Sequence, residues 1–164
     1  MAKTGGEIQR DVYRLLQPLK GDASLTGEVY QDTEFRPRDS QLEDAVVIFT
    51  EGGGQSEQIQ SGTVTVNIYV PDIDPYDNGV FVKDKQRTDE LERAAADWVD
   101  TLTAELSCYH FQLKQAIYTE AEPSIKQHFV VVRLSYDYYG DDGSTVLTDN
   151  SGGVIEIEPK TEKE

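Results

Sequence analysis

A long alternation of side-chain types constrains the fold of this chain more than any other feature. Between positions 58 and 70, the residues Gln60, Gly62, Val64, Val66, Ile68 and Val70 alternate with Ile59, Ser61, Thr63, Thr65, Asn67 and Tyr69. A period of two over this length predicts a β-strand with two different faces. The first half is more polar than the second, so we expect it to extend beyond the core as one side of a hairpin arm.

The segment before this strand supplies the other side of the predicted hairpin. Residues 44–50 contain five consecutive apolar side chains, which is typical of a central strand buried on both faces. Residues 51–57 then include three consecutive glycines, for which we predict a flexible loop at or near the tip of the arm. A phosphate-binding loop is not indicated, because the required strand-loop-helix spacing and the following Lys-Ser/Thr are missing.

Two segments carry the period of an amphipathic helix. In residues 6–20 the apolar stripe consists of Ile8, Val12, Leu15, Leu16 and Leu19, and Pro18 and Gly21 are expected to mark the end of the helix. In residues 85–106 the stripe consists of Leu91, Ala94, Ala95, Trp98, Leu102 and Leu106. Both helices should therefore cover one side of a sheet.

The order of the predicted elements indicates the fold class. A short strand at 27–30 precedes the central strands, and two further strands at 109–119 and 127–139 follow the second helix, with a turn at 122–124 between them. Strands that occur in runs favour an α+β fold. We predict an antiparallel or mixed sheet covered on one side by two helices.

The length of 164 residues suits one folded domain, which we place at residues 1–140. Residues 141–164 hold seven acidic side chains against two lysines and show no period. Such a segment buries too little apolar surface to order itself, so we predict an acidic, extended or disordered tail. Its Val154, Ile155 and Ile157 form a strand-like patch that could add to the sheet edge of a neighbour.

The charge of the chain excludes several kinds of partner. Fifteen basic residues against 31 acidic ones give a net charge of -16, which disfavours contact with nucleic acid or an anionic membrane surface. No apolar run approaches the roughly 20 residues needed to span a bilayer. The single cysteine, Cys108, cannot form an internal disulfide, and no signal peptide is evident, so a reducing cytosol is expected.

No catalytic constellation is present in the sequence, and we predict neither a catalytic residue nor a cofactor. His110, His128 and Cys108 lack partners at the spacing of known motifs. Asp72, Asp74 and Asp77 are weak candidates for a metal site, because carboxylates two and five positions apart can converge on a hard cation. However, Pro75 interrupts the spacing and position 85 is lysine instead of the glutamate of a calcium loop, so a solvated turn is favoured.

Aromatic and glycine residues outside the helices point to an assembly surface. Nine tyrosines against five phenylalanines and one tryptophan is an unusual balance, and tyrosine is enriched at protein interfaces. We predict that the assembly interface includes Gly52, Gly53, Gly54, Gln58, Gln60, Tyr76, Phe81, Tyr138 and Tyr139.

The element order, with the segments EIQRDVYRLL from Glu7, TVTVNIYV from Thr63 and LERAAADWV from Leu91, resembles the tail-terminator and tail-completion proteins of long-tailed phages and prophages. The resemblance covers residues 5–139. It implies a hexameric ring that caps the tail tube and joins it to the head connector, and therefore a virion protein made in the bacterial cytoplasm. Its partners would be further copies of itself, the tail tube protein and the head-tail connector protein. The acidic tail departs from the family pattern.

Two other kinds of function remain open on the sequence alone. An acidic monomeric adaptor or a DNA mimic would also carry a large negative charge, although the long helix mixes acidic and basic residues instead of showing rows of acids. A metal-assisted hydrolase built on Asp72, Asp74 and Asp77 is the third possibility.

Overall fold

The computed structural model describes residues 3–55, 59–105 and 108–139, together with the backbone of 146–148 and 154–156. In sequence order, the strands of its main sheet are β1 (Val29–Gln31), β2 (Ala45–Gln55), β3 (Gln60–Pro71), β4 (Tyr109–Leu113), β5 (Tyr118–Glu122) and β6 (Gln127–Tyr138). Their spatial order is β1-β2-β3-β6-β4, and β5 also pairs with β6. Only β1 and β2 are parallel among these pairs, so the sheet is mixed.

Two α-helices accompany the sheet, α1 (Gly5–Asp22) and α2 (Lys85–Glu105), and short 3-10 helices occupy Thr33–Phe35 and Pro123–Ile125. The first helix begins at a capping box, in which Thr4 and Glu7 satisfy each other's backbone N–H groups. The prediction that Pro18 helps to end this helix is wrong, because α1 continues to Asp22. Neither α1 nor α2 has the length and apolarity of a membrane-spanning helix.

The core lies between the two helices and one face of the sheet. The apolar stripes of α1 and α2 pack with alternate residues of β3 and β6, namely Val64, Val66, Ile68 and Val70 on one strand and Val130, Val132, Leu134, Tyr136 and Tyr138 on the other. These even-numbered positions pair across the two strands, so they share one face. The predicted α+β fold with both helices on one side of the sheet is confirmed.

The opposite face of the sheet has no α-helix among the described residues, and we call it the bare face. It carries the odd-numbered positions of β3 and β6, such as Thr65, Asn67, Val131 and Arg133. At one end of this face, the guanidinium of Arg36 stacks 4.1 Å from the centre of the Tyr69 ring. The segment around the first 3-10 helix therefore covers part of the bare face.

The predicted loop at 51–57 is wrong for its first five residues, which continue strand β2 through the three glycines to Gln55. Glycine backbones pair with β3 here, for example Gly52 with Gly62, although the register shifts on both sides of that pair. Strand β3 is also paired with β6 as far as Gln60, so the first half of the strand belongs to the sheet. A hairpin that projects beyond the sheet is not confirmed.

The predicted strand at 109–119 is two strands. Both β4 and β5 pair with the same edge of β6, β4 along its last five residues and β5 along its first five. The backbone N–H of Lys114 donates to the carbonyl of Arg133, which ends the pairing of β4 before β5 begins. The turn predicted between the last strands is present as the 3-10 helix Pro123–Ile125.

In the acidic tail, the strands β7 (Val146–Thr148) and β8 (Val154–Glu156) pair with each other in an antiparallel two-stranded sheet. The predicted apolar patch thus finds its strand partner within the tail at Val154 and Ile155, whereas Ile157 lies outside the described residues. The proposed addition of this patch to a neighbour's sheet stays a prediction.

Glycine at position 62 is required by close packing. A Cβ atom there would lie 2.6 Å from the hydroxyl oxygen of Tyr136 and 2.7 Å from the carbonyl oxygen of Glu51. Gly62→Ala should therefore lower the free energy of unfolding by about 1 to 3 kcal/mol, as overpacking typically does. Urea denaturation measures the loss, and Gly54→Ala is the control, since nothing lies within 4 Å of its added Cβ. Equal stabilities of the two variants would contradict the packing at Gly62.

Candidate interaction surface

A loop between β3 and α2 exposes an unusual number of apolar side chains. Tyr76 is 83% exposed and Val80 58% exposed, and the other apolar members are Ile73, Phe81 and Val82, each about 40% exposed. We call residues 73–82 the apolar loop. Contiguous exposed apolar groups of this kind mark interaction sites on soluble proteins.

The apolar loop is fixed by hydrogen bonds of its own. Ile73 and Val82 form an antiparallel bridge, in which each backbone N–H donates to the other's carbonyl at 2.9 Å. Within the bridge, the carboxylate of Asp74 accepts from the backbone N–H groups of Asn78 at 3.0 Å and Gly79 at 2.8 Å. Exposed apolar residues are therefore held on a defined backbone.

Two left-handed residues complete the turn. Asp77 has a φ of 52° and Gly79 a φ of 80°, a region that favours aspartate, asparagine and glycine. The side-chain oxygen of Asn78 also accepts from the backbone N–H of Val80 at 3.0 Å. This loop is pre-organised, so little conformational entropy is lost when it docks.

Two of the three weak metal candidates, Asp72 and Asp74, have structural partners. Asp72 Oδ1 lies 2.7 Å from Nδ1 of His128, and Asp74 holds the turn described above. Within the described residues, no group of three or more His, Cys, Asp or Glu side chains is arranged to hold a metal ion. The carboxylate of Asp74 therefore serves the shape of the apolar loop.

The structure separates the predicted interface residues into three groups. Tyr76 and Phe81 belong to the apolar loop, and Tyr139 is also exposed. Gly52, Gly53 and Gly54 are exposed on β2 at the far end of the β2-β3 hairpin. Gln60 is half-buried, and its side-chain amide exchanges two hydrogen bonds with the backbone of Lys3, at 2.8 and 2.7 Å.

Tyr138 is not an interface residue of this subunit, and its prediction as one is wrong. It is 3% exposed and packs in the core, with its ring 5.1 Å from that of Tyr109. The alternation in β6 already placed Tyr138 on the same face as Val130, so the signal for burial was present in the sequence. Gln58, the remaining predicted residue, lies outside the described residues.

A cleft of about 720 Å³ opens at the end of the bare face, between the first 3-10 helix and the second. Its lining combines apolar Ile48 and Ile125 with Tyr69, Arg38 and Glu122. Both signs of charge occur around it, so its chemistry favours no single class of small ligand. This cleft could not be predicted from local patterns, because its walls come from four distant segments.

A buried polar network lies behind this cleft, and it too was not predicted from the sequence. Asp44 is fully buried and accepts hydrogen bonds from Arg36 Nε at 2.8 Å, Ser40 Oγ at 2.6 Å and the backbone N–H of Glu28 at 2.9 Å. Arg36 also donates to Gln127 Oε1 at 2.9 Å, although the two residues are 91 positions apart. The network ties the segment beside the cleft to the start of β2 and the start of β6.

A second buried cluster lies beneath the start of α1. Asp11 accepts from Lys3 Nζ and from the hydroxyl of Tyr109, each at 2.5 Å, and the ammonium of Lys3 also lies 5.0 Å from the centre of the Tyr138 ring. Burial raises the pKa of Asp11, and Lys3 opposes that shift. The side chains of Lys3 and Asp11 are about 1 to 2% exposed, so the cluster is closed to a substrate.

Because of Tyr109, the free energy of unfolding should decrease at alkaline pH. Burial, and then the negative charge of Asp11, raise the pKa of Tyr109 well above its ordinary value. Its stabilising contribution is complete below about pH 10, where an unfolded tyrosine is still protonated, and is lost as pH rises toward the folded pKa. Above pH 10 the loss should approach about 1.4 kcal/mol per pH unit for each tyrosine that stays protonated in the folded state.

Urea denaturation from pH 9 to 11 measures this dependence. Tyr109→Phe should give a shallower decline than the wild type, because one ionisable group is removed from the unfolded state. Tyr76→Phe is the control at an exposed ring and should leave the slope unchanged. An identical slope for Tyr109→Phe and the wild type would contradict the buried, protonated Tyr109.

No protein-family model matches this sequence, and no curated protein matches it either. A solved protein structure with no descriptive name has 17% sequence identity to this chain, with a TM-score of 0.40. The alignment covers 84% of this chain and 96% of the other. The similarity is too distant to bear on fold or function.

Proposed function

We propose that this chain is a structural subunit of a phage tail, a tail terminator that assembles with further copies of itself into a ring, a role that needs no catalytic chemistry. The observation that carries the proposal is the pre-organised apolar loop, because a rigid protrusion with five exposed apolar side chains is suited to docking on protein. The order of its elements resembles that of tail terminators, and this resemblance is the basis for proposing a ring as the form of assembly.

The charge of the chain is compatible with this role. A net charge of -16 repels DNA, so a ring with this composition would let a duplex pass without binding it. The proposed partners are other copies of the chain, six in a ring, together with the tail tube protein and the head-tail connector protein. The proposed location is the neck of the virion, at the junction of tail and head.

Changes in the apolar loop should separate assembly from folding. Tyr76→Ser and Phe81→Ser, singly and together, should leave the free energy of unfolding within about 0.5 kcal/mol of the wild type, because exposed substitutions rarely cost more. The double variant should lose self-association and binding to purified phage tail tubes by at least tenfold. Light scattering and co-sedimentation with purified tubes measure the two losses.

Leu42→Ser is the matched control, since Leu42 is an apolar residue of similar exposure outside the loop. It should retain wild-type association. If the double loop variant associates as the wild type does, the apolar loop has no part in assembly and the proposal loses the observation that carries it.

A further inference from the structure

We propose that Asn78 and Gly79 form a self-modification site, at which the folded apolar loop promotes the loss of ammonia from the Asn78 side chain. An asparagine followed by a glycine can react in this way, because the backbone nitrogen of the glycine reaches the side-chain amide without hindrance from a Cβ atom. The asparagines of the chain are Asn67, Asn78 and Asn150, and of these Asn78 alone precedes a glycine. The chemistry at this site is independent of the proposed function.

The reacting pair lies in open surroundings. Asn78 and Gly79 are both exposed, and a Cβ atom built on Gly79 would have no heavy atom beyond its chain neighbours within 4 Å. The φ of 80° at Gly79 is one that glycine adopts without strain. Packing therefore hinders neither the approach of the Gly79 nitrogen to the Asn78 amide nor the access of water to the product.

Two hydrogen bonds of the loop act on the atoms that react. The backbone N–H of Gly79, which is the nucleophile, donates to Asp74 Oδ2 at 2.8 Å, so a carboxylate is in place to accept its proton. The side-chain oxygen of Asn78 accepts from the backbone N–H of Val80 at 3.0 Å. This oxygen gains negative charge when the nitrogen attacks, and a donor already aimed at it stabilises that charge.

The reaction balances with water as its one co-reactant. The Gly79 nitrogen forms a bond to Cγ of Asn78, and its proton passes to the Asp74 carboxylate. The bond from Cγ to the side-chain nitrogen breaks, and that nitrogen takes up the proton and leaves as ammonia. Water then opens the five-membered succinimide ring at either carbonyl, which gives aspartate or isoaspartate at position 78 and leaves Asp74 unchanged.

Asn67 provides a comparison within the same chain. It is half-buried on β3, where it pairs with Val131, and the branched Ile68 follows it. Strand pairing and the following side chain both oppose closure of a succinimide ring there. The tryptic peptide 39–83 contains Asn67 and Asn78 together, so a single digest reports on both positions.

Incubation of the full chain at neutral pH, followed by digestion and fragmentation mass spectrometry, tests the site. Asn78 should lose its amide at least tenfold faster than Asn67, and at least tenfold faster than Asn78 in the same chain unfolded in urea, because the fold supplies the proton acceptor. Labelling with an isoaspartyl methyltransferase should detect the isoaspartate product. A folded chain that reacts at Asn78 no faster than the unfolded chain would overturn the proposal.

The Asp74→Asn variant tests the proton acceptor. It keeps the size of the side chain and one acceptor oxygen but cannot take up the proton, so the reaction at Asn78 should slow at least tenfold. Asp97→Asn, at an exposed position of α2, is the control and should react as the wild type does. Slow amide hydrogen exchange at Ile73 and Val82 in Asp74→Asn would show that the bridge of the loop persists. A wild-type rate in this variant would overturn the assignment of Asp74.

The consequence of the modification for assembly rests on the proposed function. The product places a further carboxylate in the apolar loop of a chain whose net charge is already -16, so copies repel each other more strongly at the surface proposed to dock. Asn78→Asp, which copies one product, should therefore weaken self-association at least tenfold, whereas the uncharged Asn78→Ser should associate as the wild type does. Equal association of Asn78→Asp and the wild type would overturn this consequence.

The two kinds of measurement separate the modification site from the proposed function. Rapid loss of the Asn78 amide in a chain that stays monomeric at every concentration would overturn the proposed assembly and support the site. Discrete oligomers of a wild-type chain that reacts no faster at Asn78 than at Asn67 would overturn the site and support the assembly.

Discussion

The Trp98→Ala variant should lose about 3 to 5 kcal/mol of unfolding free energy, the usual cost of truncating a buried aromatic side chain. Trp98 is 1% exposed, and its indole N–H donates to the carbonyl of Leu15 at 3.0 Å. It therefore joins α2 to α1 as well as to the sheet. The loss combines a cavity between the two helices with the loss of the hydrogen bond to the Leu15 carbonyl.

Urea denaturation followed by circular dichroism measures this effect. Trp98→Phe should lose less, because it keeps an aromatic ring and removes only the hydrogen bond and part of the volume. Tyr76→Ala truncates an aromatic residue in the exposed apolar loop and should change stability by less than about 0.5 kcal/mol. A stable Trp98→Ala variant that no longer associates would instead place Trp98 at an interface.

The Asp44→Ala variant should lose a similar amount, about 3 to 5 kcal/mol, because it breaks a buried ion pair and leaves the charge of Arg36 uncompensated. Three donors converge on the Asp44 carboxylate, and both charged side chains are at most 4% exposed. The change should also loosen the segment beside the cleft, since Arg36 positions it against Tyr69.

The exposed pair of Lys20 and Glu28 supplies the control for this prediction. Its N–O distance of 2.7 Å matches that of the buried pair, but its side chains are 37% and 64% exposed. Lys20→Met should cost less than about 1 kcal/mol, as is typical of surface ion pairs. Equal losses for Asp44→Ala and Lys20→Met in chemical denaturation would contradict the role of burial.

Local periodicity was enough to predict the framework of the fold. The stripe of α1 from Ile8 to Leu19 and the even-numbered apolar positions of β3 from Val64 to Val70 each identify side chains that pack in the helix-covered core. The burial of Trp98 could be predicted in the same way, because Trp98 lies in the apolar stripe of α2.

Contacts between distant segments could not be predicted in this way. The bonds from Arg36 to Asp44 and Gln127 depend on where three chain segments meet, and no local pattern encodes that. The three glycines after Thr50 have no side chains to signal a face, so their place in β2 depends on pairing with β3. The aspartates around Tyr76 looked like possible metal ligands, yet their bonds to backbone N–H groups and to His128 became visible only in the folded loop.

The central claim is that this chain works by docking on further copies of itself, and the mass of the full chain in solution tests it most directly. Size-exclusion chromatography with light scattering over a concentration series should show a discrete multiple of 18.4 kDa, and the protein should co-sediment with purified phage tail tubes. Six copies are expected, and the double variant Tyr76→Ser with Phe81→Ser should remain at the mass of one chain. A wild-type mass of 18.4 kDa under every condition, with no binding to tubes, would contradict the account.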